Sequence, residues 1–227
     1  MARMARVVAA NVPHHVTQRG NRRQKVFFSD ADYELYRGLL AEGCARAGVT
    51  VLAYCLMPNH VHLILQPRNE DGLRAALSEA HRRYSREINF REGWRGYLWQ
   101  GRFASFPMDD AYLMACARYV ELNPVRARLA ARARDWRWSS ARAHLAGRDD
   151  VLVKVAPLLE RAGDWKAFLA EGLDAPTSDA IRASERTGRP LGAPAFLRRL
   201  EKKLNRVLIK RKPGPKPASA SPKPRLL

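Results

Sequence analysis

Cysteine is scarce: Cys44, Cys55 and Cys116 are the only three, and no Cys-x-x-Cys pair occurs. An odd, scattered set argues against a disulfide framework or a zinc–cysteine site. Buried thiols in a reducing cytoplasm are the expectation. Long apolar runs are lacking too. None approaches the ~18 residues of a membrane helix, and the stretch Val7–Ala10 is too short for a signal peptide. Acid is in short supply: 22 Asp and Glu stand against 41 Lys and Arg, a net charge of +19. The imbalance is not a tail effect, since residues 1–147 carry 23 basic and 13 acidic side chains, and residues 148–227 carry 18 and 9. An excess of this size speaks to partners rather than fold. It favours a polyanion, bound through phosphate contacts and counterion release.

Periodicity gives the order of elements. His14–Gly20 reads as a first strand. Ser29 or Asp30 can cap a helix running to about Ala47, with Tyr33, Tyr36, Leu39, Leu40 and Cys44 as its apolar stripe. Gly48 ends it. Val49–Met57 is a second strand, Pro58-Asn59 a turn, and His60–Gln66 a third strand. Asp71 opens a second helix with Leu73, Leu77, Tyr84 and Ile88 inward. Tyr97–Pro107 reads as a fourth strand, and Asp109-Asp110 caps a third helix from about Ala111. The order β-α-β-β-α-β-α predicts an α+β chain. Its centre is a ferredoxin-like four-stranded antiparallel sheet with helices on one face, followed by a C-terminal helical extension.

Two features carry chemistry. Side chains alternate along a strand, so His60, His62 and Ile64 share one face and Val61, Leu63 and Leu65 the other. Two imidazoles side by side suit a divalent ion, although His-x-His alone is more often a plain polar strand face. The third helix holds Arg118-Tyr119-Val120-Glu121-Leu122-Asn123-Pro124-Val125-Arg126. Tyr119 and Asn123, four apart, share a helix face. A tyrosine hydroxyl can attack a phosphodiester if a metal stabilises the developing charge. An asparagine oxygen is a hard ligand suited to Mg²⁺ or Mn²⁺. Pro124 cannot donate to the Val120 carbonyl, so a kink is expected just after Asn123. A core-facing role for Tyr119 is the plain alternative.

Four ordered motifs resemble the single-tyrosine HUH transposases, in particular the REP-associated tyrosine transposases. They are His14-His15-Val16-Thr17-Gln18-Arg19-Gly20-Asn21-Arg22, Tyr54-Cys55-Leu56-Met57-Pro58-Asn59-His60-Val61-His62, Leu98-Trp99-Gln100-Gly101-Arg102-Phe103, and Tyr119 to Arg126. The resemblance implies a divalent metal, Mg²⁺ or Mn²⁺, on His60, His62 and Asn123. It implies Tyr119 as the nucleophile toward single-stranded or hairpin DNA, leaving a 5′-phosphotyrosine and a free 3′-hydroxyl. Many insertion-sequence relatives have glutamine where Asn123 stands. The oligomeric state, monomer or homodimer, stays open.

Arg19, Arg22 and Arg23 after strand one, Arg82, Arg83 and Arg86 on helix two, and Trp99 with Arg102 are the DNA-binding candidates. Interleaved cations and aromatics are how single-strand binders stack bases. His14, His15 and His81 read as non-ligands, lacking suitable spacing to the tyrosine helix. Three segments are expected: a catalytic domain over 1–146, a helical accessory region over 147–205, and a disordered basic, Pro-rich tail over 206–227. Two other readings compete: a non-catalytic repeat-DNA-binding regulator on the same scaffold, and a zinc hydrolase using His60 and His62. The second needs a third ligand, for which His81 and His144 are poorly placed.

Overall fold

Four short runs rich in β-branched and aromatic residues pair into one antiparallel sheet in the order β2-β3-β1-β4. The computed structural model describes residues 6–209. The strands are β1 (His14–Arg19), β2 (Val49–Met57), β3 (His60–Pro67) and β4 (Ala104–Pro107). Helix α1 (Asp30–Ala47) joins β1 to β2, and α2 (Gly72–Arg91) joins β3 to β4. This is the expected ferredoxin-like arrangement. The basic, Pro-rich tail lies outside the described residues from position 210 onward.

Strand alternation divides the core in two. Val16, Tyr54, Leu56, Val61, Leu63 and Leu65 pack against Tyr36, Leu40, Leu73, Leu77, Tyr84 and Ile88 of α1 and α2. The two helices approach closely at Gly43, where a Cβ would meet the Ala76 carbonyl oxygen at 2.5 Å. Ser29 and Asp32 form a capping box at the start of α1, and Gly48 closes it in the left-handed conformation.

The opposite face is covered as well, by a third helix and the C-terminal region. Ala53, Cys55, Met57 and Ile64 meet Leu113, Cys116, Ala117, Tyr119 and Val120 of α3 (Asp110–Glu121). The same core takes in Leu158, Trp165, Phe168, Leu169 and Ile181. These belong to α6 (Ala156–Ala162), α7 (Trp165–Ala170) and α8 (Ala175–Thr187), which follow the short helices α4 (Asn123–Arg126) and α5 (Ala141–Ala146). The last helix, α9 (Pro194–Leu204), sets Leu200 beside Val7 and Ala9 of the N-terminal segment. The helical region beyond residue 147 therefore shares its core with the sheet. All three cysteines are free and buried. Among the described residues, no helix is long and apolar enough to cross a membrane.

Two boundaries differ from expectation. The fourth strand is Ala104–Pro107, not Tyr97–Pro107. Residues 97–103 make an irregular loop tied to the end of β1 by one backbone bridge, Gly20 to Trp99, and by the Gln18 side chain, which donates to the Gly101 carbonyl. The tyrosine helix breaks at Leu122, one residue before the expected position. Pro124 denies Val120 its donor and crowds that carbonyl, so the strain falls in the turn preceding the proline.

Candidate active site

Register assembles the site. Pairing of β1 with β3 sets Arg19 opposite His60, Thr17 opposite His62 and His15 opposite Ile64. Directly opposed residues share a sheet face. His15, Thr17 and Arg19 therefore stand on the face of His60 and His62. From the diagonal position His15 reaches back: its ring stacks on His62 with centroids 5.1 Å apart. Its Nε2 shares a hydrogen bond of 2.9 Å with His62 Nδ1. His15 thus stands against the histidine pair. Spacing within one strand could not reveal it, because the contact is made across strands. His14 and His81 do stay apart. His14 bonds to the Val12 carbonyl and the Ala9 amide, and His81 to the Tyr36 hydroxyl.

Helix α3 brings Tyr119 onto this cluster. Its ring stands edge-on to His62 at 5.6 Å and to His15 at 6.2 Å. Beyond the break at Leu122, the Arg126 guanidinium lies 3.7 Å over the Tyr119 ring. Asn123 is buried at the start of α4, one turn beyond Tyr119. Burial raises the Tyr119 hydroxyl above its usual range, and the nearby Glu185 charge adds to this, while hydrogen bonds from Arg126 and Arg182 oppose it. Tyr84 is fully buried in the opposite core and donates to the Val26 carbonyl.

The imidazoles are held neutral. Burial pushes His15 down to about 3. It pushes His60 down to about 4, with Arg19 adding to the effect. His62 lies well below the usual value, again mainly through burial, with His60 and His15 contributing. Neutral rings keep the lone pairs that a metal needs. His60 Nδ1 is engaged with the Asn59 side chain at 2.6 Å. The unexpected member is Glu185 of α8. Its Oε1 lies 3.7 Å from His62 Nδ1 and 3.9 Å from His15 Nε2. Burial raises Glu185 to about 7 against the opposing influence of Arg19, Arg126 and Arg182. A donor set of imidazoles with a buried carboxylate oxygen fits a divalent cation.

A cavity of about 530 Å³ opens beside the cluster, lined by Arg19, His60, His62, Gln100, Arg102 and Glu185 among others. Arg19 and Arg102 thus flank the histidines. Arg22 and Arg23 sit exposed in the turn after β1, where the Arg23 carbonyl accepts from the Asn59 side chain. Arg82, Arg83 and Arg86 are not brought to the site. They project from α2, on the far side of the sheet, and the first two pair with Glu79 and Glu42. Trp99 is not free to stack a base, because it is packed among Tyr36, His81 and Tyr84. Its apolar bulk found the core, as it did for Phe103. Among the described residues the exposed aromatics are Phe28, Phe90, Trp94 and Tyr97.

A family model described as "Transposase IS200 like" matches residues 9–123. This chain belongs to that family. The matched span of the IS200-like transposase runs from the segment before β1 to Asn123, and so includes His15, His60, His62 and Tyr119. A Haemophilus influenzae protein, named as a candidate REP-associated tyrosine transposase, is 26% identical over 129 residues. The match covers 52% of this chain and 73% of that protein. The solved REP-associated tyrosine transposase bound to a REP hairpin shares the fold at TM-score 0.53 and 20% identity, over 66% of this chain and 90% of its own. A candidate transposase of known structure from Deinococcus radiodurans overlaps at TM-score 0.38 and 20% identity, over 53% of this chain and 96% of that one.

Proposed function

We propose that this transposase nicks and rejoins single-stranded or hairpin DNA of the repeat type, with Tyr119 as nucleophile and Mg²⁺ or Mn²⁺ as cofactor. The observation that carries the reading is the placement of the Tyr119 ring against His62, on the strand face from which His60 also projects. His60, His62 and Asn123 would hold the ion. Once bound, it would polarise the scissile phosphate and stabilise its developing charge. In the first step the Tyr119 hydroxyl oxygen forms a bond to phosphorus and gives up its proton. The bond from phosphorus to the 3′-oxygen breaks, and that oxygen leaves as a hydroxyl. Strand transfer is the reverse attack by a 3′-hydroxyl. Arg126 and Arg182 act on the Tyr119 hydroxyl and would ease the charge that grows there. Arg19 and Arg102, on the cavity wall, would bind backbone phosphates. The hairpin bound by the structural neighbour supports hairpin DNA as the partner.

The test is cleavage of hairpin-bearing single-stranded DNA with Mg²⁺ or Mn²⁺, read as a covalent protein–DNA adduct on a denaturing gel. The adduct should vanish in Tyr119→Phe and persist in Tyr112→Phe. An adduct that survives Tyr119→Phe overturns the assignment. Binding without any cleavage by the intact protein would favour a non-catalytic regulator.

A further inference from the structure

We propose that Glu185, delivered by the C-terminal helix α8, is a further ligand of the divalent ion, joining His62 from the side of His15. The inference rests on the reading of His62 as a metal ligand and adds to the residues that would hold the ion. Three donor atoms, His15 Nε2, His62 Nδ1 and a Glu185 carboxylate oxygen, lie within 4.8 Å of one another. Their separations are 2.9, 3.7 and 3.9 Å. Donors bound side by side to one ion at about 2.1 Å are about 3.0–3.5 Å apart. Small side-chain adjustments would be needed, and the proton shared by His15 Nε2 and His62 Nδ1 would move to an outer ring nitrogen, such as the unpartnered His15 Nδ1.

One oxygen of this carboxylate has no hydrogen-bond partner. Glu185 Oε1 is buried and accepts no hydrogen bond. Arg19, Arg126 and Arg182 are near enough to influence it. Yet this oxygen faces two imidazole nitrogens, at 3.7 and 3.9 Å, beyond hydrogen-bond reach. A buried carboxylate oxygen without a donor is costly, and a cation in the gap would remove the cost. Nor is α8 a loose appendage that happens to fall here. Asp174 caps its first turn, Ile181 is fully buried in the shared core, and the Ser184 hydroxyl donates to the Arg189 carbonyl at 2.5 Å. Just beyond the helix, Leu191 bridges to Met108 at the end of β4. The helix is fixed at several points, and Glu185 is aimed by that fixing.

The consequence is that the metal centre extends beyond the family-matched segment, which ends at residue 123. Mn²⁺ affinity of the full chain without DNA, read by electron paramagnetic resonance of the free ion, tests this. Glu185→Gln should bind Mn²⁺ at least about tenfold more weakly. It should also lose most of the rise in thermal midpoint that Mn²⁺ gives the unaltered protein, while its midpoint without metal shifts by a few degrees at most. Unchanged or tighter Mn²⁺ binding overturns the inference; a simultaneous gain in DNA affinity would mark Glu185 as occupying a phosphate position instead. His62→Ala separates the two levels. If it loses Mn²⁺ while Glu185→Gln does not, only this inference fails. If His62→Ala keeps Mn²⁺ binding, the metal reading of His62 fails with it.

Discussion

Glu121 lies two residues from Tyr119 and yet takes no part in the site. Its carboxylate is fully buried. It accepts from the Ser140 hydroxyl at 2.6 Å and the Trp165 indole at 2.8 Å, and pairs with His144 Nδ1 at 2.7 Å. One acidic side chain thus ties α3 to α5 and α7. Glu121→Ala would strand three buried polar groups, and we expect a loss of about 3–5 kcal/mol of stability. Urea denaturation would measure it, and a loss below about 1 kcal/mol would refute the role. The sequence hinted at half of this. A spacing of two sets Glu121 on a different helix face from Tyr119. Its partners could not be read, because Ser140, His144 and Trp165 join it only through tertiary packing. His15 and Glu185 were hidden for the same reason: one reaches His62 across a strand pair, the other from a helix more than 120 positions further along.

At the level of elements, Arg126 of α4 lies over the ring of Tyr119 in α3, seven positions earlier and across the break. Seven positions are two helical turns, about 10 Å along the axis, so the contact depends on how the chain passes Pro124. Pro124→Ala restores a donor for the Val120 carbonyl and lets the helix continue. We expect adduct formation to fall at least about tenfold while stability changes by less than about 1 kcal/mol, because removing a helix-breaking proline is itself favourable. Unaltered adduct formation would mean that the break does not position the nucleophile. The sequence made the break legible through Asn-Pro and misplaced it by one residue. It made the histidine strand legible through period-two alternation. It overextended β4, since Leu98, Trp99 and Phe103 are as apolar as strand residues but are buried by an irregular loop.

For the whole molecule, the question is where a charge of +19 meets DNA. The sheet separates two basic regions. Arg19 and Arg102 share the cavity with His60 and His62. Arg82, Arg83 and Arg86 lie beyond α2 on the other side, with Arg82 and Arg83 already facing Glu79 and Glu42. Stacked layers are about 10 Å apart, comparable to the screening length near physiological salt. A strand whose phosphate reaches Tyr119 therefore gains little from the α2 face. Binding of single-stranded DNA should weaken with salt, and each phosphate contact contributes about 0.7 to the slope of log affinity against log salt. Arg19→Ala and Arg102→Ala should each make that slope shallower by about this amount. The combined Arg82→Ala, Arg83→Ala and Arg86→Ala variant should leave it unchanged. Affinities measured from low to moderate salt by fluorescence anisotropy would decide. A slope that drops by two contacts or so in the triple variant would mean that the DNA wraps around the sheet edge onto α2, and that the basic surface acts as one continuous track.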